Sequence, residues 1–136
     1  MKKVLFIGDV HGKPDWSDFF YDAFKDFREI VFLGDYVDSF YINAHEQIKN
    51  LKNIINLKKE HSDKITLLLG NHDYAYIFNH FNTSGYQHTF SNDIKKLYSD
   101  NWDLFDVAWG YESDSNNSRY TLATHAGLTY GYFLKV

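Results

Sequence analysis

Residues 29–40 read EIVFLGDYVDSF. An apolar run, Ile30 to Leu33, breaks at Gly34 into two carboxylates, Asp35 and Asp38. The same grammar recurs at KVLFIGDVHG, residues 3–12, and at KITLLLGNHD, residues 64–73. In each case a short uninterrupted apolar run meets a glycine and then acid, amide or imidazole. Runs without polar alternation are what parallel strands covered on both faces look like. Strands are therefore expected at Val4–Ile7, Ile30–Leu33 and Ile65–Leu69.

Helical patterns separate these runs. After Pro14, a residue suited to a helix start, Trp16, Phe19, Phe20, Ala23 and Phe27 recur at helical spacing. Ile48, Leu51, Ile55 and Leu57 do so less regularly in the next segment. The order β-α-β-α-β with right-handed crossovers makes the three strands parallel neighbours, with their C-terminal ends along one edge. In such sheets ligands bind beyond that edge. The run-ending glycines allow sharp turns and close approach there.

Beyond GNHD, Tyr74–Phe81 is expected as a short helix and residues 82–89, with Gly85, as a loop. Ser91 is a natural N-cap for a helix carrying Ile94, Leu97 and Tyr98. Val107–Tyr111 and Tyr120–Thr124 read as strands joined by a polar turn over residues 112–118. No repeat, linker or boundary interrupts the chain, so residues 1–136 are expected to form one α/β domain.

Composition bounds the function. Fourteen Lys and Arg against eighteen Asp and Glu give a net charge of −4, which offers no general attraction to nucleic acid or an anionic membrane. An anionic substrate would need a local cation. The N-terminal apolar run is too short for a signal-peptide core, and none approaches the roughly 18 residues of a membrane span. With no cysteine, disulfides and thiolate metal sites are excluded. A reducing cytoplasm suits that composition. The abundant aromatics, eleven Tyr and twelve Phe, fall mostly at helix or strand spacing and are expected to pack the core.

Asp9, His11, Asp35, Asp38, Asn71 and His72 bring hard oxygen and imidazole donors to the strand ends, a set suited to Mn, Fe, Zn or Mg. Crowded carboxylates repel unless cations sit between them. A pair of divalent ions removes that repulsion, clamps a phosphate and lowers the pKa of a bound water. Each residue also has a plainer reading. Asp9 and Asp35 could cap helices, Asn71 and His72 could form a turn, Asp38 could be a loop carboxylate, and His125 a satisfied structural histidine. His45, His61, His80 and His88 have no motif around them and are expected at the surface; His88 is a weak candidate for a substitute ligand.

GDVHG (8–12), GDYVD (34–38), GNHD (70–73) and THAGL (124–128) together resemble the calcineurin-like metallophosphoesterases. The likeness is greatest to the branch of the Ser/Thr protein phosphatases and the symmetrical diadenosine tetraphosphate hydrolases. It implies a sandwich with a β-α-β-α-β parallel core and a partial second sheet. It implies two divalent metal ions, Mn²⁺ foremost: Asp9 and His11 on the first, Asp35 bridging, Asn71 and His125 on the second. His72 would be the general acid and Asp38 the carboxylate that orients it. The implied reaction is hydrolysis of a phosphate monoester, such as protein phosphoserine or phosphothreonine, or of a nucleotide anhydride. Relatives carry a further histidine ligand after the THAGL-like motif, and the domain is expected to lack that C-terminal portion. Relatives also carry an arginine where Ser39 stands, and commonly Glu at Asp73. An uncovered apolar end at Tyr130–Val136 leads us to expect a homodimer, a swapped segment or a partner chain. A non-catalytic binding or regulatory module on the same fold is the alternative reading.

Overall fold

The computed structural model describes residues 3–78, 82–112 and 119–127. Strands β1 (Val4–Ile7), β2 (Glu29–Phe32) and β3 (Ile65–Leu68) alternate with helices α1 (Trp16–Asp26) and α2 (Ala44–Glu60). Helices α3 (Asn71–Phe78) and α4 (Ser91–Asp100) follow, then strands β4 (Phe105–Asp106), β5 (Trp109–Glu112) and β6 (Tyr120–Ala123). β1 to β4 form one parallel sheet in the order β1-β2-β3-β4, while β5 and β6 pair antiparallel. The expected parallel core is therefore present and gains a fourth strand.

The sheet is buried where its apolar runs required it. Ile30, Val31 and Phe32 expose no surface, because the two faces of β2 are covered by different layers. On one side Ile30 and Phe32 join Trp16, Phe20, Leu51, Ile54, Tyr76 and Ile94 in the helix-covered core. On the other, Val31 and Leu68 meet Trp109 of the β5-β6 pair, a partial second sheet. The Trp109 indole N–H donates to Glu29 Oε1 at 2.6 Å, and its ring stands edge-on to Phe6 at 5.4 Å. One buried indole thus ties the second sheet to the first.

Several local expectations are corrected. Phe19 lies 46% exposed on α1, so the buried stripe of that helix is narrower than its aromatic spacing suggests. Helix α3 begins at Asn71 rather than Tyr74; the GNHD motif is its first turn. Ser91 does not cap α4. Phe90 occupies the N-cap position, and the Ser91 hydroxyl donates to the His88 carbonyl at 3.0 Å. β4 was not foreseen: two residues carry no periodicity, and the strand exists through pairing of Phe105 and Asp106 with Leu67 and Leu68. Val107, expected to begin a strand, is 76% exposed. The far end of the Tyr74–Phe81 helix, His80, the turn over 113–118 and the apolar end Tyr130–Val136 lie outside the described residues.

Candidate metal centre

The C-terminal ends of β1, β2 and β3 deliver the motif residues to one rim. Past β1 and β2 the backbone pairing continues: the His11 N–H donates to the Asp35 carbonyl and the Gly12 N–H to the Tyr36 carbonyl, both at 2.8 Å. The two acidic loops are thereby held together. Among the described residues the only non-glycine positions with positive φ are Asp9 (47°), His11 (42°), Asp35 (56°) and Asp38 (73°). Left-handed backbone is costly for L-residues and concentrates at functional sites. Here it falls wholly on residues singled out for their chemistry.

Asp35 sits at the middle. It is 4% exposed; one oxygen accepts the His72 N–H at 3.0 Å, in the first turn of α3. The other faces His125 Nε2 at 3.3 Å and His11 Nε2 at 3.7 Å. Both imidazoles are steered by the backbone, His11 Nδ1 lying 2.8 Å from the Val37 carbonyl and His125 Nδ1 2.8 Å from the Leu33 carbonyl. A carbonyl only accepts, so Nδ1 carries the hydrogen and the Nε2 lone pair points into the site, the orientation a metal ligand needs. Asn71 Oδ1 lies 3.1 Å from His125 Nε2.

Two groups of donors have ligand atoms within 4.8 Å of one another: His11, Asp35 and His72, and Asp9, Asp35 and His125. Asp35 belongs to both, as a bridging carboxylate must. The groups cut across the expected division, which paired Asp9 with His11. His72 apart, His11 and Asp35 on one side and Asp9, Asp35 and His125 on the other are hard donors that suit divalent ions of the Mn, Fe, Zn or Mg kind. His88 is exposed, stacks edge-on against Tyr86 at 4.9 Å and belongs to neither group.

His72 is positioned by a carboxylate. Its Nδ1 lies 2.8 Å from Asp38 Oδ2, and its ring meets that of His11 edge-on at 4.9 Å. Asp38 is 3% exposed and also accepts hydrogen bonds from the hydroxyls of Tyr76 and Thr83. The loop after α3 covers it so closely that a Cβ on Gly85 would stand 2.5 Å from the Asp38 carbonyl oxygen. With Nδ1 engaged, Nε2 is the atom of His72 left to face a ligand.

Asp73 is the residue whose importance the sequence understated. It exposes no surface, and its carboxylate accepts the backbone N–H groups of Asp35 (2.7 Å), Gly70 (2.8 Å) and Tyr36 (3.0 Å) and the Tyr98 hydroxyl (2.5 Å). Burial pushes its pKa up to about 6, against the pull of those donors. Burial likewise raises the Tyr36, Tyr76 and Tyr98 hydroxyls, which stay neutral donors. Tyr76 stands four positions after His72 on α3, so helical spacing alone could have flagged it.

A family model for calcineurin-like phosphoesterases matches residues 2–135, and the chain belongs to that family. The membership implies divalent metal ions as cofactors. The chain is also 33% identical over 78 residues to a protein phosphatase 2A catalytic subunit of Dictyostelium discoideum, an alignment covering 52% of this chain and 22% of that relative. It thus spans under a quarter of that curated relative's length. The four-stranded parallel sheet with its helices agrees with the family's fold. No helix among the described residues is long and apolar enough to cross a membrane.

Proposed function

We propose that this chain is a metal-dependent phosphoesterase that hydrolyses a phosphate monoester or a nucleotide anhydride. The observation that carries the reading is the place of Asp35 in both donor groups, together with the hold of Asp38 on His72, the third member of one of them. Asp9, His11, Asp35, Asn71 and His125 hold the ions, for which the family resemblance suggests Mn²⁺ first, with Fe, Zn or Mg also suited to these donors. When bound, two such ions supply the charge that clamps a phosphate and activates water.

The protein's own part is proton delivery and positioning. As the bond from phosphorus to the leaving oxygen breaks and one from the water oxygen forms, the water's proton is released to solvent, and His72 Nε2 gives its proton to the leaving oxygen and regains one from solvent. Asp38 keeps the ring in place through Nδ1 and balances the charge it carries before transfer. Tyr76 and Thr83 fix Asp38 in turn. We further infer a cytoplasmic location, which the absence of cysteine suits, and a homodimer or partner chain.

The binding-module alternative draws support from Ser39. Its hydroxyl accepts the N–H groups of Tyr41 and Ile42, both at 3.2 Å, and cannot supply the bidentate, charged grip on a phosphate that an arginine gives. Turnover of an aryl phosphate with Mn²⁺ separates the two readings. The enzyme reading expects activity that is lost in His72→Ala and Asp9→Ala, and the absence of turnover with any divalent ion overturns it.

A further inference from the structure

Asp38 has more hydrogen-bond partners than the steering of one imidazole requires. Its Oδ2 accepts from His72 Nδ1 at 2.8 Å and from the Thr83 hydroxyl, and its Oδ1 accepts from the Tyr76 hydroxyl. An ionised carboxylate only accepts, so His72 Nδ1 carries its hydrogen toward Asp38 and both hydroxyls donate. Asp38 and Tyr76 are buried, and burial raises the Tyr76 pKa, so that hydroxyl keeps its proton.

The two hydroxyls arrive from different parts of the chain. Tyr76 stands one turn after His72 on α3, while Thr83 belongs to the loop over residues 82–87. That loop is tied down beside Asp38. The Gln87 N–H donates to the Tyr76 hydroxyl at 2.8 Å, and the Gln87 side-chain amide donates to the carbonyls of Gly85 and Ser39 at 2.6 and 3.3 Å. The Tyr86 ring stacks on that of Tyr76 at 4.3 Å, and the Tyr86 N–H donates to the Thr83 carbonyl at 3.3 Å. Thr83 is thus held over Asp38 by contacts that lead back to α3 and to the main chain next to Asp38.

A carboxylate gripped at one oxygen can turn about its last side-chain bond, where the torsional wells are broad. Donors on both oxygens fix its plane and keep Oδ2 aimed at Nδ1. Once Nε2 has given up its proton, His72 is neutral and the buried Asp38 loses the charge that balanced it. The two hydroxyls remain as charge-assisted partners, so the carboxylate is not stranded.

We propose that Tyr76 and Thr83 are positioning residues of the proton step, and that the loop carrying Thr83 sets how fast a poor leaving group departs. The inference rests on the phosphoesterase reading of the same site. Neither hydroxyl gives up a proton: the bond from Nε2 to hydrogen breaks, one from the leaving oxygen to hydrogen forms, and Nδ1 keeps its hydrogen. A clamp that served stability alone would act equally on every substrate. One that serves proton delivery acts most where the leaving oxygen needs a proton, as the alkoxide of glycerol phosphate does and the phenolate of dinitrophenyl phosphate scarcely does.

Thr83→Val tests this at a half-buried loop position and keeps the shape of the side chain. With Mn²⁺, its kcat on glycerol phosphate is expected to fall about 10- to 100-fold at little-changed KM, part of what general acid catalysis contributes. The loss on dinitrophenyl phosphate should be several-fold smaller. Tyr76→Phe should show the same selectivity, and Thr83→Ser, which retains the hydroxyl, should recover most of the rate. Equal losses on the two substrates, or no loss on glycerol phosphate, overturn the inference. Absence of turnover in the wild-type chain overturns the phosphoesterase reading instead, and a second measurement then decides the positioning role. The Nδ1 hydrogen of His72, identified in nitrogen-edited proton spectra of the metal-free protein by its absence in His72→Ala, should be lost to exchange with water in Thr83→Val and return in Thr83→Ser. An unchanged signal in Thr83→Val overturns the positioning role.

Discussion

Gly34 and Gly8 close β2 and β1 with the same dipeptide, Gly-Asp, yet the structure gives them opposite tolerances. Gly34 has φ +103°, and a Cβ there would run into the backbone nitrogen of Gly70, standing 2.8 Å from its Cα and 2.9 Å from the Leu69 carbonyl carbon. Gly8 would meet only Leu33 Cδ1, at 3.7 Å, an ordinary contact. For Gly34→Ala the strained backbone costs about 1–3 kcal/mol and the forced shift of packed main chain about as much again. The sum, about 2–6 kcal/mol, is a large part of a domain's usual 5–15 kcal/mol. Gly8→Ala is expected to be near neutral, or slightly stabilising through the unfolded chain. Because the same contact sets the spacing of Asp35 from α3, Gly34→Ala should also weaken metal binding. Urea unfolding followed by tryptophan fluorescence in chelator, then Mn²⁺ titration, measures both effects. Should the two variants unfold within about 1 kcal/mol of each other, close packing of the Gly34 and Gly70 backbones is not what holds the bridging carboxylate.

Asp73→Ala strips the acceptor from buried N–H groups of Asp35, Tyr36 and Gly70. Relief of a buried charge offsets part of the loss, so denaturant unfolding should show a net destabilisation of about 2–5 kcal/mol; an unchanged midpoint would remove Asp73 from its structural role. Asp38→Asn should lower kcat by roughly 10²-fold or more with little change in KM, since it disturbs the orientation of His72 and not phosphate binding. Loss of substrate affinity with intact kcat would contradict that. Mn²⁺ at a hundred times its Kd should stabilise the chain by about 2.7 kcal/mol, reversibly with chelator, and Asp35→Asn should abolish most of this. Asp9→Asn should raise the stability of the metal-free chain by about 0.5–1 kcal/mol, by removing repulsion from Asp35 in water-like surroundings, while lowering ion affinity. A parallel fall of both would show that Asp9 acts structurally.

The parallel core was legible because β2 is buried on both faces, which forces the uninterrupted run Ile30-Val31-Phe32. The ligand types were legible because Asp9, His11, Asp35 and His72 follow such runs at glycine. What local sequence could not reveal was tertiary. Helix α3 starts at Asn71 because the Asp35 carboxylate, distant in sequence, accepts the His72 N–H. β4 exists through pairing with Leu67 and Leu68. The roles of Asp73, Tyr98 and Thr83 depend on which backbone donors and carboxylate oxygens the folded chain brings to them, and the contrast between Gly34 and Gly8 depends on a neighbour that only the fold supplies.

That dependence explains how a strained rim is held. Left-handed backbone at Asp9, His11, Asp35 and Asp38 costs on the order of 1 kcal/mol or more at each position, together a sizeable share of a domain's stability. Such conformations persist only when the surroundings over-determine them. Three of the four are fixed by several bonds: Asp35 through Asp73, His72 and the His11 N–H; His11 through the Val37 and Asp35 carbonyls; Asp38 through His72, Tyr76 and Thr83. Asp9, by contrast, is exposed, with carboxylate and imidazole neighbours but no such clamp among the described residues. The rim is therefore rigid on the side of the shared carboxylate and the proton donor and freer at Asp9. A divalent ion would complete it there, supplying at Asp9 the constraint that buried side chains supply elsewhere.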